Sequence, residues 1–94
     1  MALLFEWDPK KARRNLTIHG VSFDEASTAF QDLLSMTVGD PLHSEDENRL
    51  VLIGRSHRGH LVVVVHVERG DRIRIISARL ATSRERISYE ENVE

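Results

Sequence analysis

The sequence predicts a small α+β domain spanning residues 1–94, in which an antiparallel meander packs against helices, and three observations lead there. Apolar residues recur at helical spacing as far as residue 31 and shift to strand-like spacing from about residue 34. Helix-opening chemistry stands at Asp8-Pro9, at Ser22 to Glu25 and at Thr82 to Glu85. Three runs rich in Val and Ile are joined by connections short enough to require hairpins. The expected order is β-α-α-β-β-β-β-α.

Residues 3–7, apolar and aromatic, form the first strand. Asp8 caps the following helix and Pro9 fits its first turn; the helix runs to about Ile18, with Ala12 and Leu16 on its buried face, and Gly20 ends it with positive φ. In Ser22-Phe23-Asp24-Glu25 the first and last residues satisfy each other's backbone donors, and Val21 staples onto Ala26. The second helix carries Phe23, Ala26, Ala29 and Phe30 on one stripe and reaches about Gln31. Residues 34–38 read as a strand and 39–48 as a polar loop. Strands follow at 50–54, 61–67 and 72–78; because 61–65 is apolar at every position, that strand is central, with both faces at least partly covered. A last helix opens at Thr82 and carries Ile87 and Tyr89.

Ninety-four residues suffice for one core and are too few for two. The chain has no cysteine, which excludes a disulfide framework and thiol chemistry and removes the commonest soft ligands of a structural zinc. No apolar run approaches the length that spans a bilayer, so a cytoplasmic protein with no membrane partner is expected. The net charge of -2 conceals an uneven distribution. Four of the 13 Lys and Arg lie in 10–14 and six in 69–86, where Asp71 and Glu85 are the sole acids. Screening confines each charge to about 8–10 Å, so such patches attract a polyanion despite the overall balance. A surface of scattered ion pairs is the plainer alternative.

Strand alternation sets Arg72 and Arg74 on one sheet face and Ile73, Ile75, Ser77 and Arg79 on the other, unless a bulge shifts the register. A guanidinium is poorly placed in a packed interior. These arginines therefore face water, pair with acids such as Glu68 or Glu45-Asp46-Glu47, or await an anion. Arginines on rigid strands suit phosphate, since each presents a planar fork of donors. RNA carries its own nucleophile in the 2′-hydroxyl, so cutting it needs a proton acceptor, a proton donor and cations for the charge growing on phosphorus, with no metal and no cofactor. His19, at the end of the first helix, is the best-placed histidine for proton transfer, or else a capping residue. His43, His57 and His60 fall in loops or turns and His66 in a strand, and none has the spacing of a metal pair on a helix. Glu47 and Arg49 are a candidate base and phosphate ligand, or a surface pair. Tyr89 stacks a base or packs in the core.

The order Phe5-Glu6-Trp7-Asp8-Pro9-x-Lys11, Asn15, His19-Gly20-Val21-Ser22-Phe23-x-x-Ala26 resembles the BrnT family of type II toxins. The resemblance continues through Asp32, Asp40, His43-Ser44, Glu47-x-Arg49 and Gly54-Arg55-Ser56. It closes with Glu68-Arg69, Arg74-Ile75-Ile76-Ser77-Ala78-Arg79, Ala81-Thr82, Glu85-Arg86 and Tyr89. It implies a RelE-like fold and a metal-independent endoribonuclease toxin. It implies as partners a small DNA-binding, BrnA-like antitoxin, a 2:2 complex containing a toxin homodimer, and repression of its own operon with DNA contacted only through the antitoxin. Matching positions with suitable chemistry are His19, Glu47, Arg74 and Arg79 as catalytic candidates, and Lys11, Arg49, Arg69 and Tyr89 as RNA ligands. The other readings are an inactive module that only binds such an antitoxin, and a DNA-binding repressor, for which no basic recognition helix is apparent.

Overall fold

The all-apolar run becomes β4 (Leu61–Arg69), the middle strand of a five-stranded sheet in a computed structural model that describes residues 3–43 and 48–93. The order along the chain is β1 (Leu4–Glu6), α1 (Pro9–His19), α2 (Phe23–Thr28), β2 (Met36–Gly39), β3 (Arg49–Arg55), β4, β5 (Arg72–Leu80) and α3 (Ser83–Val93). Single 3-10 turns follow α2 at Ala29–Gln31 and β2 at Pro41–His43. The expected α+β sequence of elements is thus present; β3, β4 and β5 run one or two residues beyond the expected strands, whereas β1 is shorter than residues 3–7 and β2 begins two residues after Leu34.

In space the strands lie in the order β1-β5-β4-β3-β2. The meander from β2 to β5 is antiparallel, as short connections demand, whereas β1 adds to the outer edge of β5 in parallel. That pairing spans only Leu4–Arg72 to Glu6–Arg74, so the second half of β5 has no strand beside it. Asn15 of α1 takes that place. Its Oδ1 accepts the Ala78 N–H at 3.1 Å, and its Nδ2 donates to the Ala78 carbonyl at 2.8 Å and to the Val21 carbonyl at 3.0 Å. One side chain so joins α1, the start of α2 and the sheet edge.

This corrects the expected face of α1: Asn15 is 6% exposed and Leu16 is 50% exposed. The inward face is set by Ala12 and Asn15, because the sheet edge offers hydrogen bonds that only an amide can satisfy. Both helices cover one face of the sheet, where Val21, Phe23, Ala26 and Ala29 meet Leu52, Val62, Val64, Ile75 and Ala78. His66 belongs to the same face, edge-on to Phe30, and burial lowers its pKa so that it stays neutral. Gly54 is where β3 passes closest to the turn after α2, since a Cβ there would stand 2.9 Å from the Ala29 carbonyl oxygen.

The capping signals are used unequally. Thr82 and Glu85 exchange both bonds, Glu85 N–H to Thr82 Oγ1 at 3.2 Å and Thr82 N–H to Glu85 Oε1 at 2.8 Å. Ser22 caps the Glu25 N–H at 3.0 Å, but the Glu25 carboxylate turns elsewhere, toward the β3–β4 connection.

Candidate functional site

Residue pairing fixes which side chains share the sheet face opposite α1 and α2. Opposed residues of antiparallel neighbours project the same way, and the pairs Arg49–Val67, Val51–Val65, Val65–Ser77, Val63–Arg79 and Val67–Arg74 form one continuous set. Simple alternation separates Arg74 from Ser77 and Arg79. The register shift between Val65 and His66 leaves Ile76 without an opposite number, and this bulge returns Arg74, Ser77 and Arg79 to the same face. The bulge condition attached to the sequence reading is therefore met, with the residues regrouped accordingly.

A cavity of about 390 Å³ lies on this face, floored by Val51, Val63 and Val65 and walled by His19, Arg49, Arg79 and Glu85. A second cavity of about 290 Å³ lies between α1 and the free edge of β5, with Lys11, Arg14, Ile18 and Ile76 in its lining. His19 and Ser77 line both, so the two cavities adjoin at these side chains, as a smaller and a larger arm with His19 between them. The His19 ring has no hydrogen-bond partner among the described residues; the Gly20 backbone, at φ 72°, closes the helix instead by donating to Leu16. Lys11 and Arg14 are likewise without a side-chain partner among the described residues. Arg14 was not among the candidates, although its spacing of three from Lys11 on the same helix put it beside that residue.

Four of the strand arginines have acid partners among the described residues, none of them Glu68, whereas Arg72 has none; residues 45–47 lie outside the described residues. Arg79 meets Glu85 through Nη1–Oε1 at 2.7 Å and Nη2–Oε2 at 2.8 Å. This bond and the Thr82 N–H hold the Glu85 carboxyl down to about 2, and raise Arg79. Arg49 Nε donates to Asp40 Oδ2 at 3.1 Å. Arg74 Nη1 donates to Glu6 Oε2 at 2.8 Å, and Arg69 Nη1 lies 3.7 Å from the same oxygen. Arg74 and Arg69 are thus gathered at Glu6, outside the lining of either arm, while Arg49 and Arg79 face the larger one. Glu47 lies outside the described residues.

Tyr89 does not present a stacking surface. It is 4% exposed, its hydroxyl donates to Asp32 Oδ2 at 2.6 Å, and Arg55 lies over its ring at 5.7 Å. Asp32 also accepts the backbone N–H of Arg55 and of Leu34, so the aromatic ring fastens α3 to β3. Sequence reading also missed Glu25, whose buried Oε2 accepts Ser56 Oγ at 2.7 Å and lies 2.7 Å from His60 Nδ1. Burial pushes this carboxyl up, yet the bonds from Ser56 and His60 keep it below its ordinary value. Among the described residues no group of three or more His, Asp or Glu has the arrangement of a metal site, and no helix is long and apolar enough to cross a membrane.

Residues 7–85 match the family described as ribonuclease toxin, BrnT, of type II toxin-antitoxin system. The 1.1 Å crystal structure of the Brucella abortus ribonuclease toxin BrnT superposes with a TM-score of 0.68, covering 87% of this chain and 100% of that one at 21% identity. At that identity the likeness speaks for the fold. No curated protein is significantly similar in sequence.

Proposed function

Because the chain belongs to the BrnT family of ribonuclease toxins of type II toxin-antitoxin systems, we propose that its groove cuts RNA internally, without a metal, using the 2′-hydroxyl as nucleophile. The observation that carries this reading is the position of His19. An imidazole with no partner among the described residues stands between the free cations Lys11 and Arg14 on one side and Arg49 and Arg79 on the other. The RNA strand lies along the groove, its backbone held by Lys11, with Arg14 beside it. His19 moves the proton between the 2′-oxygen or the leaving 5′-oxygen and solvent, and Glu47 is the second candidate for proton transfer. As the 2′-oxygen bonds to phosphorus and the P–O5′ bond breaks, Arg79 and Arg49 face the growing charge on the non-bridging oxygens. Arg74 and Arg69, one row further along the same face, contact a neighbouring phosphate. Tyr89 acts by holding α3, and with it Glu85 and Arg79, in place.

The partner of such a toxin is a BrnA-like antitoxin that covers the groove, forms a 2:2 complex and contacts operator DNA. One observation favours the inactive-module reading: the Arg79 fork is filled by Glu85. Incubating the purified protein with a defined RNA in excess chelator separates the two. Fragments ending in a 2′,3′-cyclic phosphate, lost in His19→Ala, are expected; an intact RNA at every protein concentration leaves only the binding module.

A further inference from the structure

The smaller arm of the groove differs from the larger in its chemistry. Lys11, Arg14 and Ile18 project from one face of α1 toward β5, and the bulge turns Ile76 to meet them. Ile18 is 63% exposed, so its own chain leaves an apolar wall uncovered. No carboxylate lines this arm, and the Asn15 amide beside it is spent on the Val21 and Ala78 backbone. Arg14 is the one arginine that lines this arm, and unlike Arg49, Arg69, Arg74 and Arg79 its fork has no acid to answer it among the described residues.

Building on the nuclease reading above, we propose that this arm receives one nucleobase of the RNA strand in the groove, with guanine preferred. Its volume of about 290 Å³ is at the small end of ligand clefts, which run from roughly 300 to 1,000 Å³, and suits one base better than a stretch of chain. Ile18 and Ile76 bracket the flat apolar faces of the ring. Arg14 then donates two parallel bonds to O6 and N7, the acceptor pair that guanine presents on its major-groove edge. Adenine turns an amino donor toward the same fork, and cytosine offers an acceptor pair of its own, O2 and N3, but on a single ring that gives the isoleucine walls less surface than the purine does. An aliphatic side chain of a protein partner fits the isoleucine walls but leaves Arg14 without an acceptor. The larger arm adjoins at His19 and Ser77, which also favours a base, since the base's own phosphate then lies toward Arg49 and Arg79.

The test titrates the whole protein with each of the four nucleoside 3′-monophosphates while following isoleucine methyl resonances, and maps cut sites on an RNA of known sequence. Guanosine 3′-monophosphate is expected to bind on the order of tenfold tighter than the cytidine form, moving the Ile18 and Ile76 methyls. Arg14→Met, on an exposed helix face, should reduce that preference about tenfold while the melting temperature holds, and Ile18→Ala should weaken all four. Cuts beside guanine complete the expected result. Equal affinities with unmoved isoleucine methyls, or methyls that respond to an antitoxin and to no nucleotide, overturn the base pocket even if RNA is cut. Guanine-selective binding with no cleavage of any RNA upholds the pocket and overturns the nuclease reading instead.

Discussion

Glu85 grips the Arg79 fork with both carboxylate oxygens, and the same Oε1 accepts the Thr82 N–H that opens α3. One carboxylate therefore closes a helix cap and neutralises the groove's central guanidinium. Its folded pKa of about 2 lies below the ordinary 4.5, so its contribution to stability is complete above 4.5 and disappears as pH falls toward 2. Because the pair is partly exposed, solvent screening reduces that contribution to about 1 kcal/mol. Urea unfolding of wild type and Glu85→Gln should differ by this amount at pH 7, with the gap narrowing below pH 4.5 and closing as pH falls through about 2. A gap that persists in acid would assign the effect to helix capping alone.

Asn15→Ala should be among the most damaging single substitutions. It strips hydrogen bonds from the Val21 carbonyl and from both backbone groups of Ala78 at a buried sheet edge. Unsatisfied buried groups cost about 1–3 kcal/mol each, partly relieved where water enters, so a loss of about 3 kcal/mol is expected in equilibrium unfolding. Asn15→Asp should be no better, because it keeps the acceptor and loses both donors.

That role was hidden in the sequence for a physical reason. Helix caps and hairpins were legible because their partners lie within a few residues, as with Thr82 and Glu85 or the short connection at Ser56 to Gly59. Periodicity ranked Leu16 as the buried residue of α1 because it counts apolarity, and it has no means of detecting that an unpaired strand edge 63 residues away needs an amide. The same distance conceals the carboxylate of Glu25 under the β3–β4 connection, and the parallel pairing of β1 with β5. The groove was legible as a set of arginines and a histidine. Its grouping depended on the bulge at Ile76, and its pairing on Glu6, Asp40 and Glu85, none of which a one-dimensional pattern distinguishes from surface acids.

His19→Ala is expected to slow RNA cleavage by about 10²–10⁴-fold while shifting stability by less than about 0.5 kcal/mol, since the ring is exposed and bonded to nothing described. Single-turnover cleavage and thermal unfolding of the same preparation check both halves. A loss of fold in step with the loss of activity would return His19 to a structural role.

Tyr89→Phe isolates the opposite case. Removing the hydroxyl deletes its bond to Asp32 and should cost about 1 kcal/mol of stability. RNA affinity should remain at the wild-type value where the protein is fully folded, because the ring is enclosed. Tyr89→Leu separates the readings: an enclosed ring leaves the affinity of the folded protein unchanged, whereas a base stacked on Tyr89 would keep its affinity in Tyr89→Phe and lose it in Tyr89→Leu.

The pairing of the strand arginines has a consequence for salt dependence that a count of basic residues would miss. Each cation that neutralises a phosphate of single-stranded RNA contributes roughly −0.7 to the slope of log affinity against log salt. Lys11 enters the complex without giving up a carboxylate and Arg14 is spent on the neutral base, whereas Arg49 and Arg79 exchange Asp40 and Glu85 for phosphate and release few counterions. The wild-type slope for a short RNA should therefore be close to about −0.7, that of one cation. Glu85→Gln frees Arg79 and should steepen the slope by about 0.7, and Lys11→Ala should flatten it by the same amount. Equilibrium titrations across a range of salt read all three. A wild-type slope near that of three cations would show that the acids give way completely, and that Arg49 and Arg79 bind phosphate as readily as Lys11.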